Sequence, residues 1–370
     1  VNLVVNATIV DSKRSGLGNY AVNLVKELSL IRDDLIVFTS HEEPFSQTNV
    51  CLKKISQNLG PSYGIQGHLA RIIWTQTVLA LQANRLKPSC LFSLVPEAPF
   101  WYSGYQVVVA HDLIPIFFPK EYPLQNMYFR WFVASVLKRV SNIVAVSQRT
   151  KQDIVSIFGV NPSVVQVVPG GCDHRKFFLG INPNEVKRKY GLTSYILYVG
   201  NLHPHKNVKR LIAAFKKLRG NVLHQLVIVG AKDHRFFPEL WSLVEKLGLQ
   251  KMVLFLDFVL QEDLPALYSG AEIFVLPSLY EGFGLPLVEA MACGVPVVAA
   301  KGGAMEEVVG TAGIMVDPIN VNEMAEAMNH ILENPGLRDS LCDRGLRQAK
   351  KYSWSATAKM VSRILDESKR

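Results

Sequence analysis

No apolar run among the 370 residues approaches the roughly 18–20 needed to cross a bilayer, so no membrane-spanning helix is expected among them. The apolar start, Leu3-Val4-Val5, is too short for the core of a secretory signal. Cysteine is scarce and odd in number, five in all with no C-x-x-C pair. That argues against a disulfide framework and a zinc site, and for a reduced, cytoplasmic protein. No D-x-D pair stands in a loop suited to bridging a metal and a diphosphate, so no metal site is expected. No short tandem repeat is present either, which removes solenoids and propellers. Acidic residues are in deficit: 31 Asp and Glu against 40 Lys and Arg, a formal net charge of +9.

That surplus is uneven. Residues 1–178 hold 17 Lys and Arg against 11 Asp and Glu, and residues 179–370 hold 23 against 20. A basic N-terminal half suits an anionic partner: phospholipid, a pyrophosphate-linked acceptor, an acidic sugar or nucleic acid. Generic solubility charge is the plain alternative. Apolar content of 49% in a chain this long indicates globular structure in two domains. Periodicity lapses between Phe177 and Pro183, which divides the chain into an N-terminal domain over 1–178 and a C-terminal domain over 184–350.

What recurs along the chain is a short buried strand, a glycine turn and a helix start, the pattern of a phosphate cradle. It is found at Gly16 and Gly18, at Gly200, and at Gly282. Between His41 and Gly67 no clear period is visible. The strand Tyr105–Ala110 ends in His111-Asp112, at the carboxyl end of a parallel strand where open α/β sheets bind ligands, although a histidine there can be purely structural. Phe117–Arg139 is aromatic and basic. An interfacial membrane helix has this composition, and so does a core helix with a solvated edge, the reading favoured here. After Gly200-Asn201 comes His203-Pro-His205-Lys206-Asn207, where Lys206 is placed to reach a phosphate as a compact charge.

The most informative stretch runs Ile273-Phe-Val-Leu-Pro-Ser-Leu-Tyr-Glu281-Gly-Phe-Gly-Leu-Pro-Leu-Val-Glu289, then Gly294-Val-Pro-Val-Val. It reads strand, loop, helix, strand. Gly282 and Gly284 let backbone approach a ligand, Pro286 suits a first helical turn, and Gly294 with Pro296 ends the helix. Glu281 falls before the helix and Glu289 within it. An ordinary crossover with a solvated glutamate would explain a lone pair of carboxylates, but not the whole motif in register.

This stretch resembles the E-x7-E motif of retaining, nucleotide-sugar-dependent glycosyltransferases, family 4 of the GT-B group, of the kind used in exopolysaccharide and lipopolysaccharide synthesis. The resemblance covers nearly the whole chain and is strongest from Tyr195 to Pro318. It implies an α/β fold of two Rossmann-like domains facing a cleft, an acceptor domain and a nucleotide-sugar domain, with a final helix, 354–370, crossing back to the N-terminal domain. It implies donor contacts from Gly16, Gly18, Asn201, Lys206, Phe258, Val259, Glu281, Gly282, Phe283, Gly284, Leu285 and Glu289. Among them Phe258 and Val259 would flank the base, Glu289 would hold the ribose and Glu281 the sugar hydroxyls. His111, Glu281 and Lys206 would be the catalytic groups, and closure over the donor would follow. The commonest family pattern has Arg after the glycine where this chain has Asn201, so one phosphate charge is missing or comes from elsewhere, with His205, Lys209 and Arg210 as candidates.

The function so implied is retaining transfer of a hexose, glucose or mannose, from a UDP- or GDP-sugar to a growing surface polysaccharide or a lipid-linked, possibly acidic, saccharide. It would proceed by front-face attack without metal or other cofactor, in the cytoplasm or against the inner face of the cell membrane. Two alternatives are another GT-B enzyme (an epimerase or a phosphorylase) and a non-enzymatic binder of anionic membrane or nucleic acid. The paired glutamates with Lys206 favour the transferase and speak against nucleic acid.

Overall fold

The computed structural model describes residues 2–11, 16–218, 224–257 and 259–367. They form two units. One takes the described residues up to Gly171 together with those from Ser353 onward, and the other is continuous from Cys172 to Tyr352.

Among the described residues the first unit has seven strands, β1 Leu3–Asn6, β2 Leu35–Thr39, β3 Cys51–Lys54, β4 Cys90–Ser93, β5 Gln106–Ala110, β6 Asn142–Ala145 and β7 Val165–Val167, in the order β3-β2-β1-β4-β5-β6-β7. The second has six, β8 Tyr195–Val199, β9 Gln225–Val229, β10 Val253–Leu256, β11 Ile273–Leu276, β12 Val297–Ala300 and β13 Gly313–Val316, in the order β10-β9-β8-β11-β12-β13. Every pairing is parallel. Parallel strands require helical crossovers that cover both sheet faces, so central strands are largely apolar: β1, β2, β4 and β11 are buried at every position. The edge strand β3 is the exception. It exposes Lys53 and Lys54, a charged edge that discourages pairing with another chain. In both sheets the winding reverses beside the first strand, between β1 and β4 and between β8 and β11, where open α/β sheets hold ligands.

In unit 1 the register places Val4, Ile36, Leu91, Val108 and Ile143 on one sheet face. Two helical stretches cover that face. One runs Gly64–Leu86 and buries Leu79 and Ala83; the other runs Pro123–Leu137 and buries Val133, Val136 and Leu137. Each contains one π turn, Thr75–Leu79 and Phe129–Val133. The stretch without visible period thus holds an edge strand, short turns and the start of the first of these helices. The core role expected for Phe117–Arg139 applies to its inner side, while Leu124, Met127 and Trp131 on that stretch are exposed.

The first helix, Gly16–Ser29, begins at Gly16 itself, so the anticipated glycine turn is its first turn. Along this helix packs the final one, Trp354–Asp366. Tyr20 meets Trp354 edge to face at 5.2 Å. Arg32 reaches Ser362 at 2.9 Å and Asp366 at 3.0 Å.

The division falls after Gly171 instead of between 178 and 184, because residues 172–183 are held by unit 2. The Cys172 amide donates to Tyr352 O at 3.2 Å, Phe177 packs against Tyr268 with ring centres 5.9 Å apart, and Ser269 Oγ donates to Ile181 O at 2.8 Å.

Gly171 itself admits no side chain, since a Cβ there would lie 2.3 Å from the Trp354 amide nitrogen. Gly171→Ala is expected to lower stability by about 2 kcal/mol through this overpacking, read as a shifted urea midpoint. Gly336→Ala, where a Cβ comes no nearer than 3.6 Å to Asn334 Oδ1, serves as the control and should shift little.

Candidate functional site

Unit 2 gathers polar side chains at the carboxyl ends of β8 and β11. After β8 the chain turns at Gly200, where a Cβ would stand 2.7 Å from the Tyr198 hydroxyl. That hydroxyl donates to Asn201 O at 2.7 Å and fixes the turn from beneath. Gly230, after β9, packs against it so closely that a Cβ would fall 1.9 Å from Gly200 O. A single helical turn, Pro204–Lys206, follows, and Asn207 then takes the left-handed conformation, φ 61°, which asparagine tolerates better than most residues. Asn207 Nδ2 donates to Pro277 O at 2.9 Å and Pro318 O at 2.7 Å, and Arg210 donates to its Oδ1 at 2.9 Å. The Leu279 amide donates to His205 O at 2.7 Å. The loops after β8 and β11 are thereby stitched together.

Across this seam Lys206 Nζ contacts both oxygens of Glu281, at 2.7 and 2.9 Å. Ser278, fully buried, donates its hydroxyl to Glu281 Oε1 at 2.7 Å. The lysine and glutamate side chains are only 13% and 10% exposed, so their charges act through little water and are screened weakly by salt. His205 adds no positive charge: burial pulls its imidazole down to about 3, with Lys206 and His203 pushing the same way. Lys209 pairs with Glu239 at the surface and Arg210 serves Asn207. Of the cations considered for the diphosphate, Lys206 alone is turned into the seam. Asn201 is exposed, its Oδ1 accepting from the His203 amide at 3.2 Å.

The loop after β11 leads through buried Gly282 and Phe283 to Gly284, whose φ of 100° excludes other residues, and into the helix Leu285–Ala292 with Pro286 in its first turn. Its first amides point out of the helix and carry a partial positive charge, the usual seat of an anion. Glu289 lies one turn further in. Burial pushes its carboxyl up to about 7, opposed by the Tyr268 hydroxyl, which donates to Oε2 at 3.0 Å. The two glutamates of the motif therefore differ in kind: Glu281 is compensated by a cation, whereas Glu289 has a buried neutral partner.

Two family profiles match the chain: "Glycosyltransferase Family 4" over residues 14–176 and "Glycosyl transferases group 1" over 184–348. The chain is a family 4 glycosyltransferase of the GT-B fold. It is 29% identical over 367 residues to O-antigen chain mannosyltransferase B of Escherichia coli, covering 92% of this chain and 93% of that one. With O-antigen chain mannosyltransferase RfbU of Salmonella typhimurium it shares 25% over 376 residues, covering 99% and 100%. Among solved structures it resembles sucrose-phosphate synthase from Thermosynechococcus elongatus (TM-score 0.81, 19% identity, 99% of both chains). The Anabaena protein HepE, solved with UDP-glucose, is similar as well (TM-score 0.80, 19% identity, 99% of both chains).

In unit 1 of the glycosyltransferase, His111 follows β5 and packs edge to face on Tyr20, ring centres 4.6 Å apart. Its Nε2 meets Leu94 O at 2.9 Å. A carbonyl only accepts, so the proton is assigned to Nε2 and the lone pair to Nδ1. Burial draws the ring down to about 4, the Leu94 bond opposing, so His111 is a neutral acceptor at neutral pH. Gly16 is exposed and Gly18 buried at the start of their helix. Val259 is half-buried in the loop after β10, and Phe258 lies outside the described residues. Sequence reasoning passed over Ser278, Tyr268 and Asn207 as site residues. Only Asn207 had a local signal, as a left-handed former directly before a helix.

Glu289 gives the glycosyltransferase a testable pH signature. Its native value, about 7, lies above the ordinary 4.5, so the folded state favours the protonated acid. The stability this confers is full below about pH 4 and lost as pH rises through 7, by at most about 3 kcal/mol. Glu289→Gln should flatten the stability–pH curve between pH 5 and 8, measured as urea midpoints. Parallel curves for the two proteins would show that Glu289 does not titrate this way.

Proposed function

We propose that this enzyme is a hexosyltransferase that moves mannose, with glucose second, from a nucleoside-diphosphate sugar to a growing surface polysaccharide or a lipid-linked oligosaccharide. The observation that carries the site assignment is the Lys206–Glu281–Ser278 cluster beside the helix start at Leu285. The sugar is argued from relatives: two that span nearly the whole chain are named O-antigen chain mannosyltransferases. GDP-mannose is accordingly placed ahead of UDP-glucose.

Cleaving the sugar–phosphate bond builds charge on the departing diphosphate, and groups that meet charge only as it develops lower the barrier. Lys206 and the backbone amides around Gly284–Pro286 are assigned to that diphosphate. Glu281 is assigned to the sugar hydroxyls. Bound donor then shares Lys206 with Glu281, and Ser278 keeps the carboxylate in place while the lysine swings. Glu289 is assigned to the ribose, whose two hydroxyls would donate to its oxygens. His111 is assigned to the sugar as a neutral acceptor. The anomeric carbon loses the phosphate oxygen and gains the acceptor oxygen on the same face, and the acceptor proton passes to the departing phosphate. The configuration is retained and no divalent metal is needed, since the lysine and the helix amides meet the diphosphate charge.

The test is a transfer assay with GDP-mannose and UDP-glucose on a mannoside acceptor in the presence of EDTA, with the anomeric configuration of the product read by NMR. The expected product is an α-linked mannoside. Glu281→Gln should cut kcat by about a hundredfold or more while GDP still raises the melting temperature. Lys206→Ala should abolish that GDP-dependent rise. Full turnover by Glu281→Gln, an inverted product, or activity lost in EDTA and restored by Mn²⁺ would each overturn the corresponding assignment.

A further inference from the structure

Unit 1 holds a row of three rings that begins at His111 and ends in the final helix. Leu94 O holds the imidazole at Nε2, and the Thr150 hydroxyl donates to the His111 carbonyl at 3.4 Å. A single hydrogen bond by itself leaves the ring able to tilt about the line to the accepting oxygen. Tyr20 removes that freedom. It meets the imidazole at 89° with centres 4.6 Å apart. Behind it stands Trp354, at 82° and 5.2 Å. Edge to face is a preferred geometry for such rings, because positive edges meet negative faces. Tyr20 and Trp354 are only 3% and 5% exposed, whereas His111 is half-buried and keeps part of its surface open.

Both supporting rings are anchored in turn. Tyr20 belongs to the helix Gly16–Ser29. Trp354 opens the final helix, which Ser353 caps by accepting from the Ala356 amide at 3.2 Å. Thr357 donates its hydroxyl to Pro169 O at 2.9 Å, and the close approach of Gly171 leaves no room for a side chain beside the Trp354 backbone. At the far end Arg32 ties the two helices together through Ser362 and Asp366. The final helix is thus pinned at both ends, and its indole is kept against Tyr20. The Tyr20 hydroxyl is buried and has no hydrogen-bond partner among the described residues. What the row uses is the tyrosine ring, not its hydroxyl.

We infer that Tyr20 and, through it, Trp354 are positioning residues for His111: the two rings hold the imidazole in the plane in which Nε2 keeps its proton on Leu94 O and Nδ1 presents its lone pair. This rests on the assignment of His111 to the donor sugar, and it brings the final helix into the working of that site. A neutral acceptor has no charge with which to draw in a hydroxyl from a distance. It contributes only when its lone pair is aimed, since a hydrogen bond weakens steeply with misalignment, and a small misplacement at a reacting centre is costly in rate. Packing against buried aromatic rings also keeps water from the imidazole and so keeps it uncharged.

The experiment combines transfer kinetics with nitrogen NMR of the histidine-labelled full chain, the His111 signal being assigned by its loss in His111→Gln. At about pH 7 the ring is expected as one neutral tautomer, protonated at Nε2. Tyr20→Leu and Trp354→Leu should mix the tautomers and lower kcat at least about tenfold, with the donor KM and the nucleotide-induced melting shift little changed. Tyr20→Phe and Trp354→Phe put a ring back and should recover the single tautomer and most of kcat. Leu28→Ala serves as the control for a merely structural role: Leu28 is fully buried in the same helix, about two turns from Tyr20. It should lower the melting temperature with neither effect. A ring protonated at Nδ1 in the unaltered protein, an unchanged tautomer and kcat in Tyr20→Leu, or an equal loss of kcat in Leu28→Ala would overturn the proposal. Should Tyr20→Leu fail to fold, Trp354→Leu and the spectrum of the unaltered protein still decide. Full turnover by His111→Gln would instead remove the sugar assignment, and the spectrum, read without any transfer, tests the ring contact separately.

Discussion

The ion pair between Lys206 and Glu281 is the constraint on which the arrangement of unit 2 depends. Charges withdrawn this far from water contribute little net stability, because the loss of hydration offsets their attraction. Their effect is positional. To bring the lysine over β8 against the carboxylate over β11, the chain needs a left-handed Asn207, a buried Ser278 and two loop glycines in van der Waals contact. Each of these is a local departure from ideal backbone or packing. Together they converge on one point beside the helix start at Leu285. Such concentrations of unusual local structure are typical where a fold gives up local ease for function.

The chain's use of cations follows from the same point. With Asn201 where its family most often has arginine, and with His205 neutral, a diphosphate bound here would meet one lysine and a row of backbone amides. Amides at a helix start are fixed dipoles that need no reorganisation as charge develops. They are also indifferent to pH, unlike the Glu289 carboxyl behind them. A donor bound as proposed would thus meet a constant part and a titrating one, the latter on the side facing Tyr268.

Much of this was legible from the residues alone. β8 and β11 follow the apolar runs that stop at Gly200 and Pro277, because strands buried on both faces are apolar along their length. Glu281 and Lys206 could be named because glycine, proline and asparagine stand close to them, and Glu289 through the family motif whose spacing it completes. The failures have physical causes. β3 is an edge strand with two lysines, so it lacks the apolar signal. Gly16-Leu-Gly18 reads as a turn by propensity, yet tertiary packing of Tyr20 on Trp354 draws it into a helix. The π turns shift the helical period by one residue within each of two helices. Ser278 and Tyr268 act across the sheet, 3 and 21 residues from the glutamates they bind, and nothing near Tyr268 in sequence announces its partner. The line between the units falls before Phe177 and Ile181 because these are held by residues about ninety positions away.

The return of the final helix to unit 1 bears on how the protein is made. Unit 2 is one uninterrupted segment and has everything it needs once Tyr352 has left the ribosome. Unit 1 has segments on both sides of unit 2, so the side of the helix Gly16–Ser29 that receives Trp354 stays bare until unit 2 has been made. Domains generally mature in the order of synthesis, and here that order is inverted. Unit 1, the first to begin, is thus finished after unit 2, and unit 2 stands complete beside it only for the short interval in which the final helix is made. Chaperones and proteases would find their substrate in that interval.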